Sequence, residues 1–466
     1  MTQDSYVFCG IGGSGMLPLA MLVHHKGAQV IGTDRAFDQG RAPDKQAYLT
    51  RHGIAICPQD GSALSDKSQI LVTSTAVEAQ VPDVARARAL GARHITRAQL
   101  LSDLFNRAQS PVAIAGTSGK STITAMLGWI LYAHGRAPTI VNGAIMANFR
   151  GPDSQFASFV AGDGPDFIAE VDESDGSIAH YNPQVALLSN ITLDHKPIDE
   201  LKALFGDYLA RAKSVVANLD NPDVAALVAQ VTDTPCVTYS LVDRGADVFG
   251  VRGDDGTWQV SGSDGASSPL NLQVFGDYNI SNALGAIAAA HALGIGRAAA
   301  TSYLAGFKGV ARRMEVVGQV RGVTIYDDFG HNPDKIAASL AALASRHARI
   351  LCLFQPHGYR PLELLGTQLV ETFASGLRAG DHVWLTEPVY FGGTVERKPI
   401  VAGLVDELGA DRATYLPQRD DFPSRIARLA QSGDAVVVMG ARDDSLTELA
   451  QAVALALATV PEHSLV

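Results

Sequence analysis

Residues 115–122 read AGTSGKST, after the apolar run PVAI at 111–114 and before ITAMLGWIL at 123–131, whose apolar residues have helical spacing. A strand, a glycine turn with a lysine and a hydroxyl, then a helix is an arrangement for holding phosphate. Gly116 and Gly119 let backbone N–H groups converge on an anion, and the helix N-terminus adds its positive end. Lys120 then reaches the outer phosphates of a nucleotide, and the Ser121 hydroxyl is placed to hold Mg²⁺. The strict pattern has another glycine five residues before Gly119, where this chain has Ile114, so the loop is a shortened variant. An ordinary strand-to-helix turn with a solvated lysine is the alternative, and the order of the elements argues against it.

A second glycine turn, GIGGSG, covers Gly10, Ile11, Gly12, Gly13, Ser14 and Gly15. It lies between a strand-like run at 6–9 and an apolar helix at 16–23, and a second strand at 29–33 ends in Asp34. That is the βαβ pattern of dinucleotide-binding folds. Two further runs end in chemistry. DFIAEVDESDGS carries Glu170 at the end of an apolar stretch, with Asp172, Glu173 and Asp175 behind it, and PQVALLSNITLDH carries Asp194 and His195.

The elements that must position these residues fall into three α/β sections. At the usual ~150 residues per domain, 466 residues give about three domains. We place them at 1–108, 109–313 and 314–466. Residues 240–270 turn to Gly, Asp and Ser with short alternating pieces, a β-hairpin excursion. FGDYNISNALGAIAAAHALG at 275–294 returns to a helix whose first turn carries Asn279 and Asn282. The last section alternates strand-like runs with helices, which predicts a parallel sheet with its site at the strands' C-terminal ends.

A net charge of −11 with no basic stripe argues against a nucleic-acid surface. The four cysteines, Cys9, Cys57, Cys236 and Cys352, have no paired spacing, as expected of reduced thiols in the cytoplasm. No signal peptide and no membrane-spanning run are legible, so no membrane partner is expected.

Taken in order, GIGGSGM, AGTSGKST, AEVDESD, NITLDH, YNISNA, ARRMEVVG, DDFGHNP and FQPH resemble the Mur ligases. The likeness is strongest to the branch that adds L-alanine to UDP-N-acetylmuramate, with the muropeptide ligases as near neighbours. The resemblance covers nearly the whole chain. It implies a Rossmann-like UDP-binding domain, a central P-loop ATPase-like domain and a C-terminal Rossmann-like domain that brings the amine. It also implies ATP-dependent amide formation through an acyl phosphate in peptidoglycan precursor synthesis, by a cytoplasmic monomer or homodimer.

The resemblance further implies roles for single residues. The loop at 10–15 would cradle the UDP diphosphate, and Asp34 would either touch the ribose or uracil end or only cap a helix. Gly116, Thr117, Ser118, Gly119, Lys120, Ser121 and Thr122 would bind ATP. Ser121, Glu170 and His195 would hold Mg²⁺ or Mn²⁺, the imidazole suiting Mn²⁺; a hydrogen-bonded loop histidine is the plainer reading of His195. Asn279 and Asn282 would hold the adenine edge, with helix capping as their alternative. Arg313 would reach the γ-phosphate, and Asp328 and Phe329 would line the nucleotide. His331 would face the amine, and Glu173 and Ser174 the sugar's acyl arm. Lys120, Glu170, His195, Arg313 and His331 form the catalytic set.

Several positions depart from the family's pattern. Ser118 stands where the branch usually has histidine, Asn332 follows His331 where a second histidine is usual, and Phe205 takes the place of a carbamylated lysine found in some members. FQPHGYRPLELL has Gly358 and Pro361 where the branch has two arginines, leaving Arg360 one place away. A guanidinium moved one residue along a turn reaches different atoms. Arg442, with Asp443 and Asp444, would bind a zwitterionic amino acid or cap the next helix. These departures leave the amine open between L-alanine, another amino acid and a peptide. A non-catalytic ATP-binding regulator and an NAD-dependent oxidoreductase are the rival classes; the second leaves the lysine loop unexplained.

Overall fold

The computed structural model describes residues 4–75, 77–173, 176–192, 196–388, 400–441 and 443–459. Among these, the strands form three sheets, of five, ten and six strands, with helices in most of the connections between parallel strands. The chain divides into two compact units, one of residues 1–274 with 280–309 and one of residues 275–279 with 310–466.

The first unit carries two sheets. The five-stranded sheet is parallel throughout, in the order Ala55–Cys57, Gln29–Thr33, Ser5–Cys9, Ile70–Thr73, Arg93–Thr96. The order reverses beside Ser5–Cys9, so the glycine turn that follows this strand opens at the crevice of a doubly wound sheet. The helix Met16–His25 buries eight consecutive residues, Met16 to Val23, which is why that stretch reads as apolar all round rather than as one stripe.

In the ten-stranded sheet the fully buried strand Ser110–Ala115 lies between Val185–Leu188 and Asp166–Glu170, parallel to both. All three strands end at the same side, which brings the phosphate loop, the acidic run after Glu170 and the polar run after Leu188 together. The expected hairpin excursion is present as Val248–Arg252, Trp258–Ser261 and Ser267–Leu270, paired antiparallel.

The second unit carries the six-stranded sheet, in the order Glu315–Val320, Val323–Asp328, Asp434–Gly440, Arg349–Gln355, His382–Leu385, Ala413–Tyr415. Only the first pair is antiparallel, with an irregularity between Val316 and Gly318. The central strands Asp434–Gly440 and Arg349–Gln355 are buried almost end to end, and their C-terminal ends meet at Gln355 and Gly440. No helix among the described residues is long and apolar enough to cross a membrane.

Candidate functional site

The phosphate loop depends on its glycines. Gly116 has φ +130° and Gly119 has φ +86°, in a region that favours glycine. A Cβ on Gly116 would lie 2.1 Å from Ser189 Oγ, and one on Gly119 would lie 2.5 Å from Asn282 Oδ1. The loop is braced from the strand beside it. Ser118 N donates to Asn190 Oδ1 at 2.8 Å, and Asn190 Nδ2 donates back to Ser118 O at 2.9 Å. Ser189 Oγ also donates to Ser118 O, at 2.8 Å. The two hydroxyl neighbours of the loop, Thr117 and Thr122, are buried.

Lys120 opens the helix Lys120–Ala133, and its ammonium donates to Gly116 O at 2.7 Å and to Glu173 Oε2 at 2.9 Å. The Ser121 hydroxyl donates to Glu170 Oε2 at 2.8 Å, and Gly143 N donates to the same oxygen at 3.0 Å. Loop, lysine, hydroxyl and carboxylate thus meet at one end of the ten-stranded sheet. Glu173, expected beside a sugar substrate, is here the ion-pair partner of Lys120. Ser174 and His195 lie outside the described residues.

In the first glycine turn, Gly10 has φ +81° and donates its N–H to Thr33 O at 2.7 Å. Asp34 does two things at once. Its Oδ1 accepts from Ala36 N, capping the helix Arg35–Asp38, and its Oδ2 accepts from Gly12 N at 2.8 Å. Ile11 and Gly12 are buried, while Gly13 and Ser14 are exposed. Two cations stand beside this turn. Lys45 Nζ donates to Gly12 O at 3.1 Å, and a Cβ on Gly15 would lie 3.2 Å from Arg97 Nη1.

Asn279 and Asn282 fall in different units. Asn282 lies against Gly119, while Asn279 Nδ2 donates to Phe275 O at 2.7 Å, a local bond of the capping kind. In the second unit, the Arg313 guanidinium stands 4.3 Å from the centre of the Phe329 ring. Asp328 is almost wholly engaged inside its own unit. Its Oδ1 accepts from Met314 N at 3.1 Å, and its Oδ2 accepts from Ser339 Oγ at 2.7 Å and from Gly330 N at 3.2 Å. His331 Nδ1 lies 2.9 Å from Phe329 O, which fixes the proton on Nδ1, and its ring meets His357 edge-on at 4.8 Å. Arg360 is exposed in the first turn of Tyr359–Gly376, and Arg442 lies outside the described residues. Asp443 takes the capping alternative, accepting from Ser445 N at 3.1 Å.

Residues not singled out in the sequence complete these groups. Asn190 clamps the phosphate loop, Lys45 and Arg97 flank the first glycine turn, and Arg419 joins the ends of the central strands of the third sheet. Arg419 donates to Gln355 Oε1 at 2.6 Å and to Ser445 Oγ at 2.7 Å, and pairs with Asp443. For Asn190 a signal was present, its place two residues after the buried run VALL, behind Ser189. For the cations there was none, since lysine and arginine are common on helix surfaces.

Three Mur ligase domains match in succession: the Mur ligase family catalytic domain over residues 5–109, the Mur ligase middle domain over 114–290, and the Mur ligase glutamate ligase domain over 312–442. A UDP-N-acetylmuramate–L-alanine ligase of Bradyrhizobium sp. is 35% identical over 459 residues, covering 93% of this chain and 94% of the relative. One from Agrobacterium fabrum is 32% identical, covering 93% of each chain. The chain belongs to the Mur ligase family. The solved MurC of Thermotoga maritima superimposes with a TM-score of 0.78 at 22% identity, covering 96% of this chain and 98% of that one. The murein peptide ligase of Psychrobacter arcticus gives 0.72 at 24%, covering 98% and 99%. At those identities the likeness speaks for the fold, three α/β domains.

For a Mur ligase the donor set at the phosphate loop suits a hard cation, because Ser121 Oγ and Glu170 Oε2 are adjacent oxygens. No group of three or more His, Cys, Asp or Glu able to hold a metal occurs among the described residues. A single carboxylate and a hydroxyl match an ion that keeps waters and nucleotide oxygens as its other ligands.

His331 gives this Mur ligase a pH dependence. Burial, with Lys335, His357 and Arg313 nearby, holds its imidazole well below the usual histidine range. Burial also lowers His94, His347 and His382. Where the folded-state value lies below the unfolded one, the unfolded chain binds more protons, so stability rises with pH across that window. Unfolding free energy is therefore expected to fall as pH drops below about 6.5. Denaturant titrations from pH 5 to 8 should show this slope, and His331→Gln should flatten it.

Proposed function

We propose that this Mur ligase joins the carboxylate of UDP-N-acetylmuramate to the amine of L-alanine at the expense of ATP, in cytoplasmic synthesis of peptidoglycan precursors. The observation that carries the reading is the meeting of Gly116, Gly119, Lys120, Ser121 and Glu170 at one sheet end, braced by Asn190. The names of the relatives that match over nearly the full chain support the substrates. We keep the domain limits at 1–108, 109–313 and 314–466.

A carboxylate is a poor acyl donor, and phosphorylation gives it a leaving group. In the proposed reaction a carboxylate oxygen of the sugar acid attacks the γ-phosphorus, and the bond to the β–γ bridging oxygen breaks, releasing ADP. The amine then attacks the acyl carbon, phosphate leaves, and the nitrogen loses its proton. Lys120 and the loop N–H groups offset charge on the phosphates. Ser121 and Glu170, with His195, would hold Mg²⁺ or Mn²⁺, which when bound neutralises charge between the two anions. Arg313 would act on the γ-phosphate, and His331 on the amine. Gly10–Gly15, Asp34, Lys45 and Arg97 would take the uridine diphosphate.

A second reading, a larger amine such as a peptide, is favoured by Gly358 and Pro361 at the start of Tyr359–Gly376 and by the exposed Arg360 beside them. A charge-assisted contact is worth roughly 1.5–3 kcal/mol. Losing one raises the Michaelis constant for a lone α-carboxylate about ten- to a hundredfold. Phosphate release from ATP with UDP-N-acetylmuramate, screened against L-alanine, other amino acids and a tripeptide, decides the amine. Release that needs the sugar and L-alanine supports the first reading. Release only with the tripeptide supports the second, and no release with any amine overturns both.

A further inference from the structure

Lys120 is not waiting open for a phosphate. Its ammonium is committed to Gly116 O at 2.7 Å and to Glu173 Oε2 at 2.9 Å, which takes up two of its three N–H donors. The side chains are 13% and 4% exposed, so the pair is largely dry. Asp172 and Glu170 also act on this ammonium, so three carboxylates surround one cation. Ser121 is occupied in a parallel way, since its hydroxyl donates to Glu170. The groups that would receive a nucleotide have acidic partners in their own domain.

We propose that Glu173 is a latch on the phosphate loop: it is the counter-ion that holds Lys120 in the nucleotide-free protein, and the phosphate oxygens of ATP must take its place. The inference rests on reading the loop as an ATP site and adds to it a residue that sets nucleotide affinity by competing for the lysine. The exchange is anion for anion. Once the phosphates hold Lys120, the Glu173 carboxylate is left buried close to Glu170, Asp172 and the nucleotide's own charge. A buried charge deprived of its partner is costly. ATP without a divalent cation therefore binds against a standing opposition, which neutralising Glu173 removes. Glu173 is a positioning residue in this scheme, since it acts through Lys120.

The test is calorimetric titration of the full chain with ATP in excess chelator, comparing wild type with Glu173→Gln, alongside thermal unfolding of each with and without saturating ATP. The variant is expected to bind metal-free ATP at least about tenfold more tightly, the change that ~1.4 kcal/mol produces. Its unfolding temperature should lie below wild type without nucleotide and match or exceed wild type at saturating ATP, where the wild type carries the unpartnered Glu173 charge. Glu173→Asp, which keeps the charge but shortens the reach, should fall between the two and serves if the glutamine variant folds poorly. Equal or weaker ATP binding by Glu173→Gln overturns the latch. So does an unfolding deficit that persists at saturating ATP, which would make Glu173 a structural partner in both states. Wild type that binds no ATP, with or without Mg²⁺, would instead overturn the nucleotide reading of the loop.

Discussion

Lys120→Ala is expected to lower the ligation rate by about a thousandfold or more, since a preorganised donor aimed at developing phosphate charge is worth a factor of that order. A loop lysine contributes little to core packing, so the sequence alone predicts an intact fold. The structure adds a second effect. Removing the ammonium leaves Glu173, with 4% of its side chain exposed, without its cation. Breaking one side of such a pair costs roughly 3 kcal/mol. The single variant should therefore be both inactive and less stable. Lys120→Ala combined with Glu173→Gln should regain stability and remain inactive. Rate measurements and denaturant melts on the two proteins separate the effects, and near-wild-type turnover in either would remove the loop from the catalytic account.

Asp328→Ala is expected to destabilise the second unit by about 4 kcal/mol, from three donors that lose a charged acceptor at roughly 1.5–3 kcal/mol each, less than additively. Those donors are Met314 N, Gly330 N and Ser339 Oγ. Met314 has φ +51° and Arg312 has φ +56°, positions at which non-glycine residues are strained. The Asp328 carboxylate holds one of them by its N–H. Against a typical domain stability of about 5–15 kcal/mol, this loss is large. A melt followed by probes in each unit should show an early transition confined to residues 310–459. Unchanged melting would mean that Asp328 is free to serve the nucleotide, as its place in DDFGHNP suggests.

The sequence made the strands, turns and loops legible because their signals are local. Gly10, Gly116 and Gly119 mark turns that require positive φ, and the buried run VALL marks a central strand. The motif order carried the family. The pairings were not legible, because they depend on which strand ends lie side by side. Lys120 and Glu173 are joined only because Ser110–Ala115 and Asp166–Glu170 are neighbours in the sheet. Asp34 shows the same limit, since the helix cap was one of its two readings in sequence while its bond to Gly12 N, made by the other carboxylate oxygen, had no sequence signal. Asn279 and Asn282 share a helical face by spacing, yet the first turns to its own helix start and the second to the loop.

The ten-stranded sheet has a consequence for the protein at high concentration. A sheet that wide offers two long rows of backbone donors and acceptors unless its margins are closed to strand templating. Here one margin is Ser267–Leu270, where Pro269 stands opposite Gln259 and supplies no N–H. The other is Phe159–Val160, only two residues long. A second molecule gains too few hydrogen bonds at either margin of this sheet to extend it by adding strands.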